Sequence, residues 1–129
     1  MRIATCRCGA VHASVAGEPV RVSICHCDAC KRGTGSAFGF NATWPASAVT
    51  IAGDTRRWSR IADSGGEVRC DFCPQCGSTI AYTLDARPGM ISLPAGGFAD
   101  PGFPPPQVEI YAEQAQGGIG RQLSETAQE

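Results

Sequence analysis

The chain has 129 residues, with 11 basic and 12 acidic side chains and a net charge of −1. That balance argues against a nucleic-acid partner, which would call for a basic stripe, and no apolar run approaches the roughly 20 residues of a membrane-spanning helix. Hydrophobic content of 43% with only 7% aromatic residues predicts one small core short of large side chains, of the kind that metal ions reinforce.

In chain order, residues 3–7 open as a strand that runs into Cys6-Arg7-Cys8-Gly9. Alternation along a strand points both sulfurs one way, and the glycine permits a tight turn behind them. This N-terminus has no apolar export signal, so the expected compartment is the cytoplasm. In that reducing setting, eight cysteines read as metal ligands before they read as disulfides. Residues 11–15 and 20–24 alternate apolar with polar and predict two half-buried strands, the second delivering Cys25 at its end. Residues 28–32 predict a short helical turn with Asp28 as N-cap, followed by a loop over 33–36.

A strand over 37–43 carries Phe38 and Phe40 on one face, and 44–48 reads as a turn or brief helix. Residues 49–51 and 55–61 flank Gly53-Asp54 and predict a hairpin. A strand over 67–72 enters Cys73-Pro74-Gln75-Cys76-Gly77, and strands over 79–84 and 90–93 surround the turn at 86–89. Residues 96–106 are too rich in glycine and proline for regular structure, and 108–111 is a last strand. The prediction is a mainly β fold, one zinc-stapled domain of short antiparallel strands over 1–112 with a polar, loosely held tail over 113–129.

The thiols sort into two sets. Cys6, Cys8, Cys73 and Cys76 are two knuckles, each followed by glycine, and together they supply the four ligands of a closed zinc site. Cys25, Cys27 and Cys30 lie within six residues, too close for bridges among themselves, and can converge on a second zinc. Cys70 could close that second set, but it lies three residues before Cys73 in one strand, and alternation points it to the other face. Alternation also turns His26 away from the two cysteines beside it.

The order C-x-C-G, then C-H-C-x-x-C-K-R followed by G-S-A-F, then F-C-P-Q-C-G-S, resembles the glutathione-dependent formaldehyde-activating enzymes, also described as centromere-protein-V-like. The resemblance extends through Ala95-Gly96-Gly97-Phe98-Ala99-Asp100-Pro101 to Ile110-Tyr111, and so covers roughly residues 3–111. It implies an Mss4-like fold, a structural zinc on Cys6, Cys8, Cys73 and Cys76, and a catalytic zinc on Cys25, Cys27 and Cys30. Glu109 stands where the family often has histidine.

A zinc ion with three thiolates carries a net charge of about −1 and makes a poor generator of hydroxide, yet it deprotonates an incoming thiol readily. That suits the family's reaction, addition of glutathione sulfur to formaldehyde, a carbon–sulfur lyase of the S-(hydroxymethyl)glutathione synthase type. The expected partners are a small thiol and a carbonyl compound. A carboxylate-bearing thiol needs a basic wall, for which Lys31 and Arg32 directly after the ligands and Arg56, Arg57 and Arg60 are the candidates, with Ser36 lining the pocket by resemblance. Competing readings are a zinc-stapled binding module with a closed second site, and a thiol-based redox or metal sensor.

Overall fold

A computed structural model describes residues 1–120 and is mainly β. Its elements in chain order are β1 (Arg2–Thr5), β2 (His12–Val15), β3 (Arg21–Cys25), helix α1 (Asp28–Thr34), β4 (Gly39–Pro45), β5 (Val49–Ala52), β6 (Arg56–Ile61), β7 (Glu67–Phe72), β8 (Thr79–Leu84), β9 (Met90–Pro94) and β10 (Val108–Ile110), with short 3-10 turns between some of them. Two sheets result: a three-stranded one in the order β1-β2-β5, and a seven-stranded one in the order β10-β3-β4-β9-β8-β7-β6. All pairings are antiparallel except that of β10, which runs parallel to β3. Parallel neighbours need a long connection, and here most of the chain lies between the two.

The core lies where the two sheets face each other. Val11, just before β2, and Ala13 and Val15 within it meet Val22, Ala42, Trp44 and Leu93 from the large sheet. Trp44 belongs to β4 rather than to the expected turn, because its ring is wholly buried and its indole N–H donates to the Gly17 carbonyl at 3.0 Å. Phe40 packs on this core edge-on to Phe103, while Phe38 precedes β4 and sits edge-on to His26.

The expected hairpin over 49–61 does not form. β5 pairs with β2 in one sheet and β6 with β7 in the other, so residues 53–55 carry the chain between layers. The glycine that reads as a hairpin turn serves a close approach: Gly53 holds φ +103°, and a Cβ there would lie 2.4 Å from the Ala10 carbonyl oxygen. Gly53→Ala should therefore cost at least about 1–3 kcal/mol, the range for strained positive-φ residues. Urea unfolding should show a lower midpoint at unchanged slope.

Helix α1 also departs from expectation at its start. Its N-cap is Cys27, not Asp28: the Cys27 sulfur accepts from the Cys30 N–H at 3.3 Å, leaving Asp28 in the first turn, where its charge suits the helix dipole. The helix runs on through Thr34, inside the predicted loop, until Gly35 caps it in the left-handed region. At the start of the predicted tail over 113–129, a 3-10 turn spans Ala112–Gln114, and the Lys31 ammonium donates to the Gln114 carbonyl. Residues 121–129 of that tail lie outside the described residues.

The register of the large sheet lines up one row of opposed residues across six strands. It runs Arg21, Thr43, Ser92, Tyr82, Cys70, Trp58, on β3, β4, β9, β8, β7 and β6. Since neighbours along a strand alternate faces, this row stands on the side opposite Val22, Ala42 and Leu93.

Candidate functional site

The first cluster grows from two turns of similar design. Cys6 follows β1, its sulfur accepts from the Val11 N–H at 3.2 Å, and the chain returns through Gly9 in the left-handed region. Cys73 follows β7, with Gly77 N–H donating back to its carbonyl at 2.9 Å. The Ser78 side chain ties the turns together, accepting from the Arg7 N–H at 3.1 Å while its oxygen lies 3.2 Å from the Cys76 sulfur. That contact, with backbone donors at Ser78 and Cys8, holds the Cys76 thiol down at about 5. The sulfurs of Cys6, Cys8, Cys73 and Cys76 all lie within 4.8 Å of one another.

The spacing is diagnostic. Cys6 and Cys8 sulfurs are 3.6 Å apart and those of Cys8 and Cys73 3.7 Å. A disulfide would need about 2.05 Å, whereas four sulfurs at 2.3 Å from a tetrahedral zinc stand about 3.8 Å apart. All eight cysteines are free, and this set has the size of a tetrahedral thiolate cage.

The second cluster is local. β3 delivers Cys25, the chain leaves the sheet through His26, Cys27 caps α1, and Cys30 lies one turn in; their three sulfurs also fall within 4.8 Å. The Cys30 thiol hydrogen-bonds to Cys25 and lowers it to about 5, and the same contact drives Cys30 far upward. Three thiols this close cannot all ionise alone, but a soft cation would take the place of the shared protons. Both clusters could hold metal ions, and their donors are compatible with zinc.

His26 and Cys70 stand outside this donor set. The His26 backbone N–H donates to the Ile110 carbonyl at 2.9 Å, and its Nε2 lies 3.0 Å from the Glu109 carboxylate. Glu109 therefore partners the histidine beside the ligands. Cys70 stands in the row across the sheet, 3.6 Å from the Thr79 hydroxyl, and burial pushes its thiol upward.

That row floors a cavity of about 670 Å³, into which Cys25, Cys27 and Cys30 also open. Its wall differs from the one expected. Lys31, Arg32 and Ser36 do not line it. Successive helical residues are about 100° apart, so when Ala29, Cys30 and Gly33 face the cavity, Lys31 and Arg32 turn outward. Lys31 is engaged by Gln114 and lies 4.0 Å from Asp28, while Ser36 is exposed beyond the helix. Among the arginines expected on the hairpin, Arg57 is bound to Asp71 at 2.7 Å and Arg56 is exposed; Arg60 alone reaches the cavity. The remaining basic wall is Arg21 and Arg87, neither of which stood out in the sequence, together with the phenol of Tyr82, whose burial raises its pKa. A usable signal was present for Arg21: Arg21, Ser23 and Cys25 alternate on one face of β3.

Among the described residues, no helix is long and apolar enough to cross a membrane. No curated protein matches the sequence significantly. A crystal structure of a Rhodobacter sphaeroides protein, a structural-genomics target, is similar in fold, with 19% identity and a TM-score of 0.62 over 84% of this chain and 98% of that one. The family model described as glutathione-dependent formaldehyde-activating enzyme matches residues 1–114. With the ordered thiol pairs and triplet inside that match, the chain belongs to the glutathione-dependent formaldehyde-activating enzyme family.

Proposed function

We propose that this protein joins the sulfur of a glutathione-like thiol to an aldehyde carbon, formaldehyde being the simplest. In this reading one zinc on Cys6, Cys8, Cys73 and Cys76 holds the fold, and a second on Cys25, Cys27 and Cys30 serves the chemistry. The observation that carries it is the second donor set: three sulfurs converge at the cavity wall, and among the described residues no fourth donor joins them. When bound there, zinc supplies a position at which an incoming thiol is held and gives up its proton.

Cys25, Cys27 and Cys30 bring three negative charges against the metal's two, a balance that disfavours making hydroxide from water. The arginines of the cavity can hold substrate carboxylates. The new carbon–sulfur bond forms as the sulfur lone pair attacks the carbonyl carbon. The C=O π pair moves to oxygen, and that oxygen takes up a proton. Tyr82, kept protonated by burial, is the cavity residue suited to donate its own proton to that oxygen, and the proton released by the thiol then restores the phenol. Run backward, the same steps cleave a carbon–sulfur bond.

Zinc-replete protein should carry two metal ions per chain and speed exchange between glutathione and its S-hydroxymethyl adduct, read by magnetisation-transfer NMR. Two ions with no change in exchange would instead make the protein a zinc-stapled binding module. Reversible loss of one ion under mild oxidant, again without catalysis, would make it a sensor.

A further inference from the structure

The cavity is built for negative charge. Among the described residues, Arg21, Arg60 and Arg87 are the basic side chains lining it, no carboxylate accompanies them, and the thiols of Cys25, Cys27 and Cys30 are the anionic groups at its other end. Elsewhere Arg2 pairs with Glu18, Arg57 with Asp71, and Arg69 with Glu67 and Asp85, while Arg7, Arg32 and Arg56 are exposed to solvent. Arg21 goes further, since its Nε is sealed from solvent and finds no acceptor. A buried N–H without a partner is rare and calls for an explanation. Burial and the like charge of Arg87 both work against the Arg21 guanidinium, and the Cys25 thiol on the same face of β3 offsets them only in part. An anion between them would relieve both costs.

We propose that Arg21 and Arg87 form a carboxylate subsite, selecting thiols whose carboxylate lies several bonds from sulfur. The sulfur end of this proposal rests on the thiol reading of Cys25, Cys27 and Cys30; the carboxylate end stands on Arg21 and Arg87. Arg21 and Cys25 face the same side of β3 four residues apart, about 13 Å between Cα atoms at 3.3 Å per residue. A peptide-sized thiol spans that interval better than mercaptoacetate does. Opposed to Arg21 on β4 is Thr43, whose hydroxyl lies 2.8 Å from that of Ser92, and both border the same space. They add neutral hydrogen-bonding groups beside the guanidinium.

The test uses zinc-replete full-length protein and N-acetyl-γ-glutamyl-alanyl-glycine, a sulfur-free tripeptide dicarboxylate, with its diamide as the uncharged control. Calorimetric titration should show the dicarboxylate binding and the diamide failing to bind. Arg21→Met and Arg87→Met should each weaken the dicarboxylate about ten- to a hundredfold, the loss of one charge-assisted pair. Equal affinity in wild type and both variants, or no binding of the dicarboxylate to wild type, overturns the subsite. If Arg21→Met fails to fold, Arg87→Met, altered in a turn, decides the matter alone. In a parallel arm, the neutral thiol 2-mercaptoethanol should perturb the spectrum of cobalt-substituted wild type and Arg87→Met alike. Its failure with both would remove the sulfur end of the proposal while leaving the carboxylate end to stand or fall on the titrations.

Discussion

Cys73→Ala should yield a chain that does not fold at 25 °C. Cys73 is fully buried, and its sulfur belongs to the four-thiol cage that joins the first turn of the chain to a turn 65 residues further on. With zinc on that cage, as proposed, the metal contributes on the order of 10–16 kcal/mol, against a total net stability of about 5–15 kcal/mol for a typical domain. A core this short of large side chains holds no comparable reserve. Far-UV circular dichroism of the variant should lack the β signature, and a strong chelator should produce the same loss in wild type, reversed by zinc. A cooperative melt within a few degrees of wild type would mean that the cage is dispensable.

Cys30→Ala should do the opposite, keeping the fold and losing the chemistry. The triplet spans six residues at the end of one strand and the start of one helix, so it closes no long loop and its removal frees little chain entropy. Its sulfurs nonetheless hold the proposed reactive zinc. Altering groups merely behind a metal's ligands costs about ten- to a hundredfold, and removing a ligand itself should cost at least about a hundredfold in the glutathione–formaldehyde exchange rate. Metal analysis should fall from two ions to one while the urea midpoint stays near that of wild type. Full activity with a single ion per chain would assign the chemistry elsewhere.

The parts of this molecule that could be read from the sequence are those set by short spacing. Two residues between thiols, or one, dictate which sulfurs share a turn, and the sulfurs within each pair and within the triplet do lie together, whereas the meeting of the two pairs was read from the count of four rather than from spacing. His26 and Cys70 do stand outside the second cluster, but face does not account for Cys70, which shares the cavity side with Cys25 and is kept away by the three strands between β3 and β7. What failed depended on partners far along the chain. Gly53-Asp54 has hairpin composition, yet the competing pairing of β5 with β2 and the contact with Ala10 decided its course. Lys31 and Arg32 were placed by nearness in sequence to the ligands, whereas helical rotation turns them outward. Arg87 reaches the cavity from a turn between β8 and β9, and no spacing could have linked it to Arg21.

The contrast between a local and a long-range thiol set also bears on how the chain is made. As it leaves the ribosome, Cys6 and Cys8 emerge first and Cys25, Cys27 and Cys30 soon after, while Cys73 and Cys76 are still to be synthesised. For that interval five thiols compete for any thiophilic cation, and four of them can form a cage that the finished fold does not contain. Strand β10, which secures β3 and the backbone of His26, arrives last of all. If a metal is captured in that interval, the first two thiols must leave early companions for late ones before the four-sulfur cage closes.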